Sequence, residues 1–173
     1  MEIRFAPADL RRLDGIQSEA LAMTFFEDER PLRGALGLID WRLCGFLSRQ
    51  LIAGRLSGRL DDMVLVPTRG RLSCDKLFVL GLGEREAFDG ERYETVLGTL
   101  FSALSRAKVR SSVWSLPGRT THAIGPGEAM ERLLRVSQGF QDQDELTVLE
   151  GQDGQREMES VVLQEKRRLR AFE

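Results

Sequence analysis

One histidine and two cysteines are all that this 173-residue chain offers of the imidazole and thiol ligands that hold zinc. His122 has no second histidine to pair with, and Cys44 and Cys74 form no CxxC motif, so neither zinc-ligand spacing nor a disulfide framework is available. A nucleophilic triad would need His122 together with a serine such as Ser115 or with a cysteine, and no nucleophile-elbow motif surrounds any serine. No motif calls for a cofactor. No run approaches the ~18 apolar residues of a membrane span, and Met1-Glu2-Ile3-Arg4-Phe5 alternates like a strand rather than like a targeting segment. The chain reads as cytoplasmic, with free thiols and no membrane partner. Charge of either sign is not in excess, since 25 Lys and Arg face 27 Asp and Glu. No global positive field therefore recommends nucleic acid, and no acidic surplus suggests a solvating tail.

A hydrophobic content of 42% over 173 residues suits one domain with its own core. Apolar runs of strand length alternate with amphipathic stretches of helix length, which predicts an α/β fold with helices on both faces of a sheet. Ile3 to Phe5 and Leu21 to Phe26 read as the first two strands, expected to be neighbours, with Leu21, Met23 and Phe25 on one side of the second. Pro7 to Ser18 reads as polar and irregular. From Ala35 to Ile52, Leu36, Ile39, Leu43, Phe46 or Leu47, and Leu51 recur at helical spacing and predict one helix packed on the sheet, ended by Gly54 and Gly58. Met63 to Val66 is a short strand broken by Pro67, and Leu77 to Leu80 is an unbroken apolar run that suits a central strand. Tyr93 to Ala107 is a second amphipathic helix. Ser112 to Leu116 then gives a strand, Met130 to Val136 a helix, and Leu146 to Leu149 a late strand.

Several acidic and glycine motifs invite a chemical reading and fail on geometry. Glu27-Asp28-Glu29 cannot converge on one cation, because successive side chains of an extended segment point to opposite sides, so these residues read as a solvated strand end. Asp61-Asp62 receives the same reading. Gly81-Leu82-Gly83 lacks the third glycine of a dinucleotide fingerprint, and Glu84 and Glu86 would place carboxylates where pyrophosphate must sit, so it reads as a turn.

Ala20 to Phe26 with Glu27-Asp28-Glu29, then Gly34, Ile39-Asp40, Gly54-Arg55-Leu56-Ser57-Gly58 and Lys76-Leu77-Phe78-Val79-Leu80-Gly81-Leu82-Gly83, resemble in order and spacing the amino-terminal domain of leucyl aminopeptidases. That resemblance implies a single-domain, three-layer α/β/α fold of macrodomain type with a mixed, mostly parallel sheet over residues 1–150. It also implies a carboxy-terminal helix over 151–173. In the family, two metal ions are held by a lysine and carboxylates of a second, larger domain bearing Asn-Thr-Asp-Ala-Glu-Gly-Arg. The sequence up to Glu173 contains no such motif, so the expectation is a stand-alone, non-catalytic form. The family's amino-terminal domain contributes to hexamer packing and, in some members, to DNA binding, but no residues here match either role specifically.

The segment Pro117 to Glu128 is the candidate ligand loop, because a glycine-rich link from strand end to helix start can leave backbone N–H groups facing an anion. Its candidate contacts are Gly118, Arg119, Thr120, Thr121, His122, Gly125 and Gly127, with Arg119 supplying a charge-assisted bond. The competing reading is a plain connection, with Pro126 starting the next helix. Gln155 to Phe172 reads as a helix with Met158, Val161, Val162, Glu165, Leu169 and Phe172 along one face and Lys166, Arg167, Arg168 and Arg170 near its end. It either covers the chain's own core or meets another chain. Two functions follow: a binding, regulatory or oligomerisation module that joins a second copy or another protein, and a macrodomain-like binder or hydrolase of an ADP-ribose-like or other phosphorylated small molecule.

Overall fold

Short apolar runs and longer amphipathic stretches become, in the computed structural model, which describes residues 1–170, six strands and six α-helices. In chain order they are β1 (Glu2–Ala6), α1 (Leu10–Gly15), β2 (Ala20–Phe25), α2 (Gly34–Arg42), α3 (Phe46–Ile52), β3 (Met63–Pro67), β4 (Lys76–Gly81), α4 (Gly90–Arg106), β5 (Ser111–Trp114), α5 (Pro126–Ser137), β6 (Glu145–Leu149) and α6 (Gln152–Arg170). The strands form one sheet in the order β1-β6-β5-β2-β4-β3. Every pairing is parallel except β3 with β4, so the sheet is mixed and mostly parallel.

Helices cover both faces. Leu21, Met23 and Phe25 of β2, with Leu77 and Val79 of β4, meet Leu36, Ile39 and Leu47 of α2 and α3. On the other side Ala22, Phe78, Leu80, Trp114 and Val148 meet Leu97, Leu100, Phe101 and Leu104 of α4, Met130 and Leu133 of α5, and Met158 of α6. This makes a three-layer α/β/α domain in which the central strands are apolar on both sides. Each fully buried Leu or Met side chain contributes about 2 kcal/mol relative to exposure. Trp114 is fully buried, and its indole N–H is satisfied by Ser112 Oγ at 2.8 Å.

The structure corrects five local expectations. The first two strands are not neighbours: β1 pairs with β6, and β6 and β5 lie between it and β2, a long-range choice that no local pattern records. Residues 7–18 are not wholly irregular, because Asp9 accepts the Arg12 N–H at 2.9 Å and starts α1. The single helix over residues 35–52 is two, broken where Cys44 (φ 56°) and Gly45 (φ 71°) turn left-handed. Asp40, read as one of the residues filling other faces of that helix, is buried and accepts the Leu47 N–H at 2.7 Å, which restarts the chain as α3. Asp62 is half-buried rather than free in solvent and accepts from Ser57 N (3.1 Å) and Ser57 Oγ (2.6 Å).

The terminal helix packs back on the domain. Met158 and Val162 enter the core beside α5, while Leu163, Arg167 and Arg168 face outward. Phe172 and the side chain of Leu169 lie outside the described residues.

Gly81, at the end of β4, donates its N–H to Asp62 O at 2.9 Å, and a Cβ there would run into the backbone of Gly58 and Arg59. Gly98, in the middle of α4, has open space around the same position. Gly81→Ala is therefore expected to lower unfolding stability by about 3 kcal/mol or more. Gly98→Ala is expected to raise it by up to about 1 kcal/mol through helix propensity. Urea midpoints of the two variants measure both, and similar midpoints would contradict the packing described at Gly81.

Candidate functional site

β2 and β5 are parallel neighbours, yet the chain leaves them in opposite senses. After β2 it passes to α2 on one face and then toward β3 and β4; after β5 it passes to α5 on the other face and then toward β6. In open α/β sheets such a reversal marks the crevice at the carboxyl ends of the two strands, where ligands are placed. Here residues 26–34 form one wall and residues 115–125 the other. The walls touch at Gly34 (φ +56°), where a Cβ would lie 2.8 Å from Thr120 Cγ2. Gly118 (φ +72°) presses on Phe88, whose ring meets Phe26 edge-on at 5.1 Å, so both glycines are required by close approach as well as by backbone conformation.

The loop between β5 and α5 satisfies much of its own polarity. The Arg119 guanidinium turns inward: Nε donates to Glu150 Oε2 at 2.7 Å and Nη1 donates to Ile124 O at 2.6 Å. Only 9% of the Arg119 side chain and 13% of the Glu150 side chain remain exposed. The Ala123 N–H donates to Gly118 O at 2.9 Å, the His122 N–H to Arg119 O at 3.1 Å, and the Thr121 hydroxyl to Gly118 O at 3.3 Å. At the start of α5 the Gly127 N–H donates to Glu157 Oε1 of α6 at 2.9 Å. A carboxylate of the chain itself thus lies at the positive end of that helix. Gly118, Arg119, Thr121 and His122 come together in one turn, Thr120 meets Gly34, and Thr120, His122 and Gly125 reach the surface. Gly127 is tied to α6.

Glu29 is the site residue that sequence reasoning missed. Its expected place in a solvated strand end is wrong, because only 6% of the residue is exposed. Oε2 accepts the Phe26 N–H at 3.3 Å, and the Glu29 N–H donates to Phe26 O at 3.0 Å. Burial pushes its carboxyl above the ordinary carboxylate range; the amides of Phe26 and Arg33 and the charges of Arg85 and Arg33 pull the other way and do not cancel it. The local signal was a glutamate three residues after an amide it can reach, the spacing of a capping box. Among the described residues, no group of three or more His, Cys, Asp or Glu side chains is placed to hold a metal ion.

Two variants test this geometry. Arg119→Ala strands the Glu150 carboxylate in a largely buried position and is expected to cost about 3–5 kcal/mol in urea unfolding. An arginine reserved for a ligand would leave the midpoint almost unmoved. For Glu29 the raised native pKa means that the folded state holds its proton more tightly than the unfolded chain. Its contribution is therefore largest at low pH and declines as pH rises from the ordinary carboxylate range through the raised value. Glu29→Gln should become more stable relative to the parent as pH goes from about 4 to about 7, and parallel stability profiles would contradict the burial of this carboxyl.

The described helices include none long and apolar enough to cross a membrane. The model of the cytosol aminopeptidase family, N-terminal domain, matches residues 22–134. A probable cytosol aminopeptidase of Cyanothece sp. is 26% identical over 133 residues, which cover 73% of this chain and 27% of that protein. The chain thus spans about a quarter of that relative's length. Among solved structures, a tomato leucine aminopeptidase mutant superposes with a TM-score of 0.63 at 16% identity, covering 93% of this chain and 35% of the other. A Trypanosoma brucei macrodomain in complex with ADP-ribose superposes with a TM-score of 0.71 at 14% identity, covering 92% and 68%. These two likenesses establish the macrodomain-like fold. With the family model matched over most of its length, the chain belongs to the cytosol aminopeptidase family and carries that family's N-terminal domain.

Proposed function

We propose that this domain acts as a non-catalytic binding, regulatory or oligomerisation module, and that it works by joining a second copy of itself along the β3 side of the sheet. The observation that carries this reading is the contrast between the two sheet edges. At the β1 edge, Arg4 is paired with Glu2 at 3.0 Å and with Glu145 at 2.8 Å, a charged rim that discourages strand addition. At the β3 edge, Leu65 is 53% exposed, and Ile52 at the end of the neighbouring α3 is 87% exposed. Large apolar side chains grouped beside an open strand are what an interface between chains buries. A cytoplasmic setting is part of the same reading and is supported by the cytosol aminopeptidase names of its relatives.

A second reading assigns the crevice between β2 and β5 to an ADP-ribose-like or other phosphorylated ligand, either bound or hydrolysed. Its support is the position of the loop over residues 117–128 at the switch point, in a fold like that of a macrodomain solved with ADP-ribose. Gly118, Thr120, Thr121, His122 and Gly125 would wall the ligand. Arg119 and Gly127 would first have to leave Glu150 and Glu157.

Sedimentation velocity across the micromolar range tests the first reading. The parent chain is expected to self-associate, and Leu65→Lys, a change at an exposed position that leaves the core intact, is expected to shift it to monomer. A parent chain that stays monomeric throughout, or a Leu65→Lys variant that associates equally well, would overturn the assignment.

A further inference from the structure

Cys44 sits at the left-handed break between α2 and α3, and a cleft of about 310 Å³ opens beside it. Leu43, Phe46, Val66 and Pro67 give the cleft an apolar wall, and Arg49, Arg69 and Arg71 rim it. No carboxylate among the described residues lines this space. Among the described residues none of the three arginines belongs to an ion pair. Isolated guanidiniums on a protein surface usually spread apart, but here two are fastened to the same residue. Arg49 Nη1 donates to Cys44 O at 2.6 Å, and Arg71 Nη1 donates to Cys44 Sγ at 2.9 Å. Each spends one N–H on this anchoring and keeps the rest of its planar fork for another acceptor.

The location separates this cleft from the crevice described above. Pro67 pairs with Lys76, the first residue of β4, so the cleft lies toward the amino-terminal end of β4, whereas the crevice lies at the carboxyl ends of the parallel strands. Three positive charges without an internal counter-charge would be poorly balanced by a monocarboxylate. A phosphomonoester brings about two negative charges near neutral pH and acceptor oxygens spaced for bidentate guanidinium contacts. The apolar wall beside the arginines suits a compact hydrophobic group attached to that phosphate. Cleft size agrees, being near the lower end of the range for small-molecule sites.

We propose that this arginine-rimmed cleft is a binding site for a small phosphomonoester that carries a compact apolar group, held by Arg49, Arg69 and Arg71 against Phe46 and Pro67.

Cys44 supplies a direct readout, because its thiol is exposed in the cleft while Cys74 is buried, with its pKa pushed up to about 11 by that burial. Alkylation of Cys44 by iodoacetamide is followed by mass spectrometry in the full chain, with phenyl phosphate, inorganic phosphate or benzoate as the probe. Phenyl phosphate is expected to slow alkylation by the factor 1 + [L]/Kd, about tenfold at a concentration near ten times Kd, and to raise the melting temperature. Inorganic phosphate and benzoate, each carrying half of the recognised features, are expected to protect less. The double variant Arg49→Gln with Arg71→Gln changes only exposed side chains and is expected to lose the protection, each rate being compared with that of the same protein without probe. Equal protection by inorganic phosphate would remove the apolar group from the proposal. Absence of protection by phenyl phosphate in the parent chain, or undiminished protection in the double variant, would overturn it.

Discussion

The buried pair between Arg119 and Glu150 holds the carboxyl end of the sheet together. Arg119 comes from the loop after β5, and Glu150 follows the last residue of β6. Their bond at 2.7 Å therefore clamps the exits of two neighbouring strands. Glu150 does more than pair: its second carboxylate oxygen accepts the Gly151 N–H at 3.0 Å, and its carbonyl accepts from Gln155 Nε2 at 2.6 Å, which sets the start of α6. From that start α6 runs along α5, placing Met158 in the core and Glu157 at the Gly127 amide. An unpaired buried charge at either position would be costly, so the two residues specify each other.

A chemical consequence follows from where those charges are spent. At the switch point the chain has donors in the right place for an anion, and it satisfies the two most useful, the Arg119 guanidinium and the Gly127 amide, with carboxylates of its own. At the opposite end of β4, Arg49, Arg69 and Arg71 have no carboxylate partner among the described residues and rim a cleft with an apolar wall. The sheet edges show a similar asymmetry, with ion pairs along β1 and exposed Leu65 on β3. Unspent charge and unburied apolar surface both lie on the side of the molecule built from α3 and β3, which is where interaction with other molecules is most favourable.

Much of this architecture was legible in the sequence because it rests on local periodicity. The apolar run Leu77 to Leu80 became the inner strand β4, and Val96, Leu97, Leu100, Phe101 and Leu104 became the buried stripe of α4. What stayed hidden depends on partners distant in the chain. The pairing of β1 with β6 joins Glu2 to Glu145, and the inward turn of Arg119 needs a carboxylate contributed after β6. The break at Cys44 was masked because Leu43 and Leu47 keep helical spacing on both sides of it, while the buried Asp40 carboxylate starts the second helix. Glu29 was hidden by its neighbours Glu27 and Asp28, whose exposure says nothing about a side chain folded back onto the Phe26 amide.

The central claim is that the two strongest anion donors of the crevice loop, the Arg119 guanidinium and the Gly127 amide, are already occupied from within. Amide chemical-shift mapping of the ¹⁵N-labelled chain during titration with ADP-ribose tests it most directly. With Arg119 held by Glu150 and Gly127 held by Glu157, the amide signals from Gly118 to Gly127 should stay in place across the titration. Saturable movement of those signals would show that the internal partners yield to a ligand, and would contradict the claim.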